Sequence, residues 1–161
     1  MPDGNRLCLA CGLCCDGTLF KRAYLLPGEV APARASGLRV IADGRSPRFA
    51  LPCSRFADQQ CTIYEQRPHH CREYECKLLS SLRSGQRSLS ECLDIVRETK
   101  ASIAEIRSAL GPPLDGEALW DQVDRVIPSV PDRDQFRLAV GALAILLNRR
   151  FVKSKEDSAH L

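Results

Sequence analysis

From Ser88 onward, apolar residues return at helical intervals. In "SLSECLDIVRETKASIAEIRSAL", Leu89, Leu93, Val96, Ile103, Ile106 and Leu110 recur at spacings of three, four and seven, which lays one apolar stripe along a helix. Ser88 and Glu91 stand at capping-box spacing and mark its start. Gly111-Pro112-Pro113 stops it. A shorter helix is expected around "EALWDQVDRVI". A third should begin near "PDRDQF" and run through "RLAVGALAILLNRRF", its acidic start (Asp132, Asp134) and basic end (Arg149, Arg150) suiting the helix dipole. Gly141 inside that helix costs about 1 kcal/mol against Ala, and a close helix–helix approach there would account for it. Arg149, Arg150, Lys153 and Lys155 read as a solvated helix end, and the tail "KSKEDSAHL" as frayed.

The front of the chain has a different texture, broken by Gly and Pro from Gly12 to Pro68. Two short strand-like pieces stand out, "LRVIA" (38–42) and "RFAL" (48–51). "DGRSP" joins them, with Asp43-Gly44 as the turn signal, so a hairpin is expected. The resulting fold class is α+β, mostly α. An irregular cysteine-rich half with a short β-hairpin (1–85) packs against a helical C-terminal half (86–161). The core of the front half would be small, and a metal centre could supply the missing stability.

Composition narrows the class further. The chain has 161 residues, 44% of them hydrophobic, enough for a folded domain. Its 23 Lys and Arg against 20 Asp and Glu give a formal charge of +3, too even to argue for nucleic acid or an anionic membrane. The longest apolar run, Leu138 to Leu147, is too short to span a bilayer. The start resembles no signal peptide. These features point to the cytoplasm, where thiols stay reduced and clustered cysteines read as metal ligands or redox groups before disulfides.

Cysteine is what changes the picture most. Of nine cysteines, eight fall between Cys8 and Cys76, and Cys92 alone lies beyond, on the helix stripe, where it reads as a small packed hydrophobe. The first block, "CLACGLCC", is Cys8-x2-Cys11-x2-Cys14-Cys15. Two intervening residues let the chain turn and aim two sulfurs at one ion, and three such cysteines in a row can also supply three ligands to a cubane cluster. A fourth would come most naturally from the second block, Cys53, Cys61, Cys71 and Cys76. Adjacent thiols diverge, so Cys14 and Cys15 are poorly placed to chelate one ion together. Pro68 suits the first turn of a helix through "HHCREYEC", on which Cys71 and Cys76 would diverge by roughly 140°. They then face different sites, unless the helix ends or distorts between them. His69 and His70 could replace a cysteine but read more simply as surface residues. Ile63 and Tyr64 read as core contacts under the site. Arg6, Arg55, Arg67, Arg72 and Lys77 crowd the thiols in sequence, and cationic neighbours favour thiolate.

"CLACGLCC", followed by Cys53-x7-Cys61, "IYEQRP" and "CREYEC", is similar to the YkgJ-type cysteine-cluster family, a zinc- or iron-chelating domain also described as iron–sulfur-cluster-containing. The resemblance runs from about Arg6 to Lys77. It implies Cys8, Cys11, Cys14, Cys15, Cys53, Cys61, Cys71 and Cys76 as metal ligands, supported by Tyr64, Arg67 and Pro68. The family also resembles a domain of the flagellin lysine methylases. The present chain departs from those in its much shorter length and in lacking a glycine-rich nucleotide segment after a strand.

The expected function is therefore metal binding by an iron–sulfur cluster, with zinc the alternative. Two rival readings stand beside it: a redox or electron-transfer component or enzyme using the cluster, and a structural zinc module whose helices bind a protein partner. No Ser-His-Asp set, carboxylate pair or phosphate loop names a catalytic residue or a substrate.

Overall fold

A computed structural model describes residues 2–44 and 46–153; Lys155 and most of the tail expected to fray lie outside the described residues. The fold is α+β and mostly helical, with seven α-helices and two small antiparallel sheets among the described residues. In chain order the elements are α1 (Asp3–Cys11), β1 (Arg22–Tyr24), α2 (Val30–Ala35), β2 (Val40–Ile41), β3 (Arg48–Ala50), β4 (Phe56–Ala57), β5 (Gln60–Cys61), α3 (His69–Glu73), α4 (Lys77–Arg83), α5 (Leu89–Leu110), α6 (Leu119–Val126) and α7 (Arg133–Arg150). The chain divides into two compact units. One comprises 1–11, 75–112 and 123–161, the other 12–74 and 113–122.

The first unit is helical. α5 starts at the anticipated capping box: the Ser88 hydroxyl accepts the Glu91 amide and the Glu91 carboxylate accepts the Ser88 amide at 2.7 Å. Val96, Ile103, Ile106 and Leu110 of the stripe are buried, joined by Cys92 and Thr99. Around α5 pack α1 and α7, with α4 against all three. They contribute Leu7, Leu78, Leu79, Phe136, Leu143 and Leu147 to the core, each such side chain adding about 1.5–3 kcal/mol on burial. Cys92 is fully buried among them, as expected of a small hydrophobe. Lys100 of α5 donates to the Ala10 carbonyl at 2.8 Å, which satisfies an otherwise orphaned acceptor at the end of α1. Asp132 caps α7 by accepting the Gln135 amide.

One expectation is overturned here. Gly141 meets no close neighbour: a Cβ built on it has nothing within 4 Å among the described residues. Within the chain the glycine lies on an exposed helix face and not at a crossing with another helix.

The second unit is built of short pieces. β3 is the central strand of a three-stranded sheet, with β1 on one side and β2 on the other. The expected hairpin forms with Val40 opposite Phe49 and Ile41 opposite Arg48. Arg48 is buried and spans the turn, its guanidinium gripping both oxygens of Asp43 at 3.0 and 2.6 Å. Leu25, Ala33, Leu38, Phe49 and Leu51 make one core cluster, with Phe20, Ile63, Cys53 and Cys71 packed against it, and Leu13, Ala118 and Leu119 are buried as well. Trp120 donates its indole N–H to the Thr18 carbonyl at 2.8 Å, and Lys21 pairs with Asp121. These contacts fasten the 113–122 segment to the loop after "CLACGLCC".

Candidate metal centre

The eight candidate cysteines divide between the units. Cys14, Cys15, Cys53, Cys61 and Cys71 belong to the sheet-containing unit; Cys8, Cys11 and Cys76 belong to the helical one. All eight are partly buried, and no disulfide joins any of the nine cysteines.

Cys8 and Cys11 lie three apart on α1 and so share one side of it. Gly12 then ends the helix with φ +68, and a Cβ there would stand 2.6 Å from the Phe56 ring. Both the left-handed backbone and the space demand glycine. The turn closes with the Cys15 and Asp16 amides donating to the Gly12 carbonyl at 2.8 and 3.0 Å. The Cys53 amide donates to the Cys15 carbonyl at 2.7 Å, so the two cysteine blocks meet through the backbone.

Cys61 arrives by a hairpin that the sequence concealed. β4 and β5 pair with Phe56 opposite Cys61. Asp58 and Gln59 form the loop, both at positive φ, as a two-residue hairpin turn requires. Without Asn-Gly or Asp-Gly the turn had no clear signature. Cys71 comes from α3, which is shorter than expected. It ends at Glu73, where Tyr74 turns extended and packs edge-on against Phe20 at 5.1 Å between ring centroids. A new helix starts at Cys76, whose sulfur caps α4 by accepting the Leu79 amide at 3.3 Å. The single helix through "HHCREYEC" is thus broken between the two cysteines. His70 contacts Tyr24 edge to face, and the His69 amide is held by Glu29 at 2.6 Å.

Four of the thiols in the sheet-containing unit influence one another electrically. Cys15 donates a thiol hydrogen bond to Cys61. That bond, then burial and the neighbouring Cys14, Cys61 and Cys53, push its pKa strongly up. The same bond lowers Cys61 to about 6 against its burial, aided by the Ile63 amide and the Arg67 charge. Burial, then Cys53 and Cys61, push Cys71 up to about 12 in spite of Arg67. Cys53 is raised by burial, while the Arg55 amide, 3.4 Å from its sulfur, and the charges of Arg39 and Arg55 pull the other way. Two sulfurs, Cys53 and Cys61, therefore receive a bond from the backbone amide two residues on. Such a bond favours thiolate over thiol.

The cations differ from the list read off the sequence. Arg55 and Arg67 do serve the thiols, and the Arg67 guanidinium lies 3.5 Å over the Tyr64 ring. Arg6 instead pairs with Asp3 on the surface of α1. Arg39 was missed, and its place beside Cys53 follows only from the β2–β3 pairing. Glu29 was missed as well. Its carboxylate accepts the Leu26 amide at 2.9 Å and the His69 amide, fixing the start of the helix that carries Cys71. No local pattern in the sequence marks that role. Among the described residues, no group of three or more His, Cys, Asp or Glu side chains is arranged to hold a metal ion.

A family model described as "Putative zinc- or iron-chelating domain", the CxxCxxCC domain, matches residues 7–101. The chain belongs to the CxxCxxCC family. The match covers both cysteine blocks and reaches well into α5, so part of the helical unit is integral to the CxxCxxCC domain. No curated protein and no solved structure matches the chain. The donor chemistry fits the family description: several thiols, cationic neighbours and amide-to-sulfur hydrogen bonds suit a soft-ligand zinc or iron site. No helix of the described residues is long and apolar enough to cross a membrane.

Proposed function

We propose that this CxxCxxCC domain holds an iron–sulfur cluster or a zinc ion in the cytoplasm, through a thiolate centre drawn from Cys15, Cys53, Cys61 and Cys71. Cys14 and the helical unit's Cys8, Cys11 and Cys76 complete the ligand inventory that the family resemblance implies. The observation that carries the reading is the gathering of four thiols from separate stretches. Cys15 bonds to Cys61 through its thiol, the Cys53 amide bonds to the Cys15 carbonyl at 2.7 Å, and Cys53 and Cys71 pack against one core cluster. Cys53 and Cys61 already accept backbone amide bonds. A bound metal supplies the positive charge that turns such thiols into thiolates. Cys15 and Cys61, which share a hydrogen bond, would hold such a metal as thiolates together with Cys53 and Cys71. Arg67, stacked on Tyr64, offsets the remaining negative charge, and Glu29 holds Cys71 in place through the start of α3.

The test is elemental analysis, acid-labile sulfide and a visible spectrum on protein isolated without oxygen. Iron with sulfide and a bleachable brown colour identifies a cluster, whereas colourless protein with stoichiometric zinc identifies the ion. Protein that takes up neither metal, as isolated or after reconstitution, refutes the proposal.

A further inference from the structure

α7 is apolar on two opposite faces. Phe136, Leu143 and Leu147 are buried in the helical unit. On the other side Leu138 is 75% exposed and Ile145 58% exposed, the largest exposures among the large hydrophobic side chains apart from Leu114. Gly141 and Ala142 lie between them, both exposed. At 100° per residue, Leu138, Gly141, Ala142 and Ile145 fall within about 100° of arc. An exposed apolar stripe on a helix whose other apolar face is already buried marks a candidate contact surface. Exposed Leu and Ile flanking two small residues make a surface onto which another helix can pack closely.

The charges select the occupant. Asp134, four residues before Leu138, and Arg149, four after Ile145, continue the same stripe, and both are exposed. Neither makes an ion pair within the chain among the described residues. One end of the stripe is therefore acidic and the other basic. Two copies of α7 laid antiparallel, with the two-fold axis passing between Gly141 and Ala142, satisfy every position at once. Leu138 of one copy then faces Ile145 of the other, Gly141 faces Ala142, and Asp134 faces Arg149, each pair formed twice. The small residues at the crossing allow the axes to approach to about 8 Å, the near end of ordinary helix packing. A parallel pair would oppose like charges at both ends.

We infer that α7 is a self-association surface and that the chain forms an isologous antiparallel dimer through Leu138, Gly141, Ala142 and Ile145, with register set by Asp134 and Arg149. A single helix pair buries less than the roughly 1,600 Å² of a standard interface, which puts the dimer among the weak, reversible associations. The inference is independent of the metal centre, since none of these residues belongs to it.

Sedimentation equilibrium of the full chain, kept reduced and free of oxygen to prevent disulfide-linked dimers, tests it. The expected result is a reversible monomer–dimer equilibrium that shifts at least tenfold towards monomer in Ile145→Glu. D134R should also weaken it, and the double variant D134R/R149D should restore it. The exposed charge variants guard against loss of folding, with matching far-UV circular dichroism as the check. A chain still monomeric at about 1 mM, where even weak association is visible, overturns the inference. So does a dimer indifferent to Ile145→Glu, or one that D134R/R149D fails to rescue.

Discussion

The two units are held together in different ways. In the helical unit, α5 alone buries six side chains and the neighbouring helices add long aliphatic ones. In the sheet-containing unit eight hydrophobic residues are buried among the described residues, two of them alanines. The balance is made up by polar ties: Arg48 on Asp43, Glu29 on two amides, Trp120 on Thr18. A unit with the smaller apolar core has less margin to spare for five partly buried thiols, three of which are pushed towards the neutral form. The contrast teaches that a metal held by Cys15, Cys53, Cys61 and Cys71 would matter more to the sheet-containing unit than to the helical one.

The strongest way to break that contrast is to remove the metal. Chelation of loaded protein should abolish slow amide exchange in residues 12–74 while α5 and α7 keep theirs, as read by hydrogen–deuterium exchange. Equal loss in both units would contradict the distinction. Next in size is Gly12→Ala. A left-handed alanine costs about 1–2 kcal/mol, and its Cβ would press on Phe56. The variant should therefore lose several kcal/mol of stability and much of its metal, measured by thermal melting and metal content.

Glu29→Gln should be milder. It weakens two charge-assisted bonds and costs about 1–2 kcal/mol, loosening Cys71 without touching it. Burial raises the Glu29 pKa, but the Leu26 and His69 amides outweigh it and leave the net value below 4.5. Stability from this carboxylate is therefore fully present above pH 4.5 and lost as pH falls through the lowered value. Wild type should show that acid step in exchange at α3, and Glu29→Gln should not. The smallest effect is in the opposite direction. Gly141→Ala should stabilise monomeric chain by about 1 kcal/mol in denaturant unfolding, because nothing blocks a methyl group there.

Legibility followed the same divide. α5 and α7 were readable because an apolar period and a cap are local properties, written out within one turn or a few. The β2–β3 hairpin was readable from Asp43-Gly44. α1 was not foreseen. It has no basic residue in its last turn, and its burial of Leu7 and the Lys100 bond to Ala10 are tertiary. The β4–β5 turn lacked glycine, and the break after Glu73 depends on Tyr74 finding Phe20. Gly141 was misread because no other helix of the same chain approaches it among the described residues. At the site, spacing and family resemblance supplied the cysteines. Glu29 and Arg39, by contrast, reach the thiols through chain reversals that no short window of sequence contains.

The central claim is that thiols of the sheet-containing unit grip a metal. It is tested most directly by the metal content of oxygen-free preparations of wild type, Cys61→Ser, Cys71→Ser and Cys92→Ser. Wild type and Cys92→Ser should carry the same metal. The other two should retain it more weakly by over the roughly 10–100-fold that loss of a supporting partner costs. Full metal in Cys61→Ser and Cys71→Ser, or none in wild type, would contradict the claim.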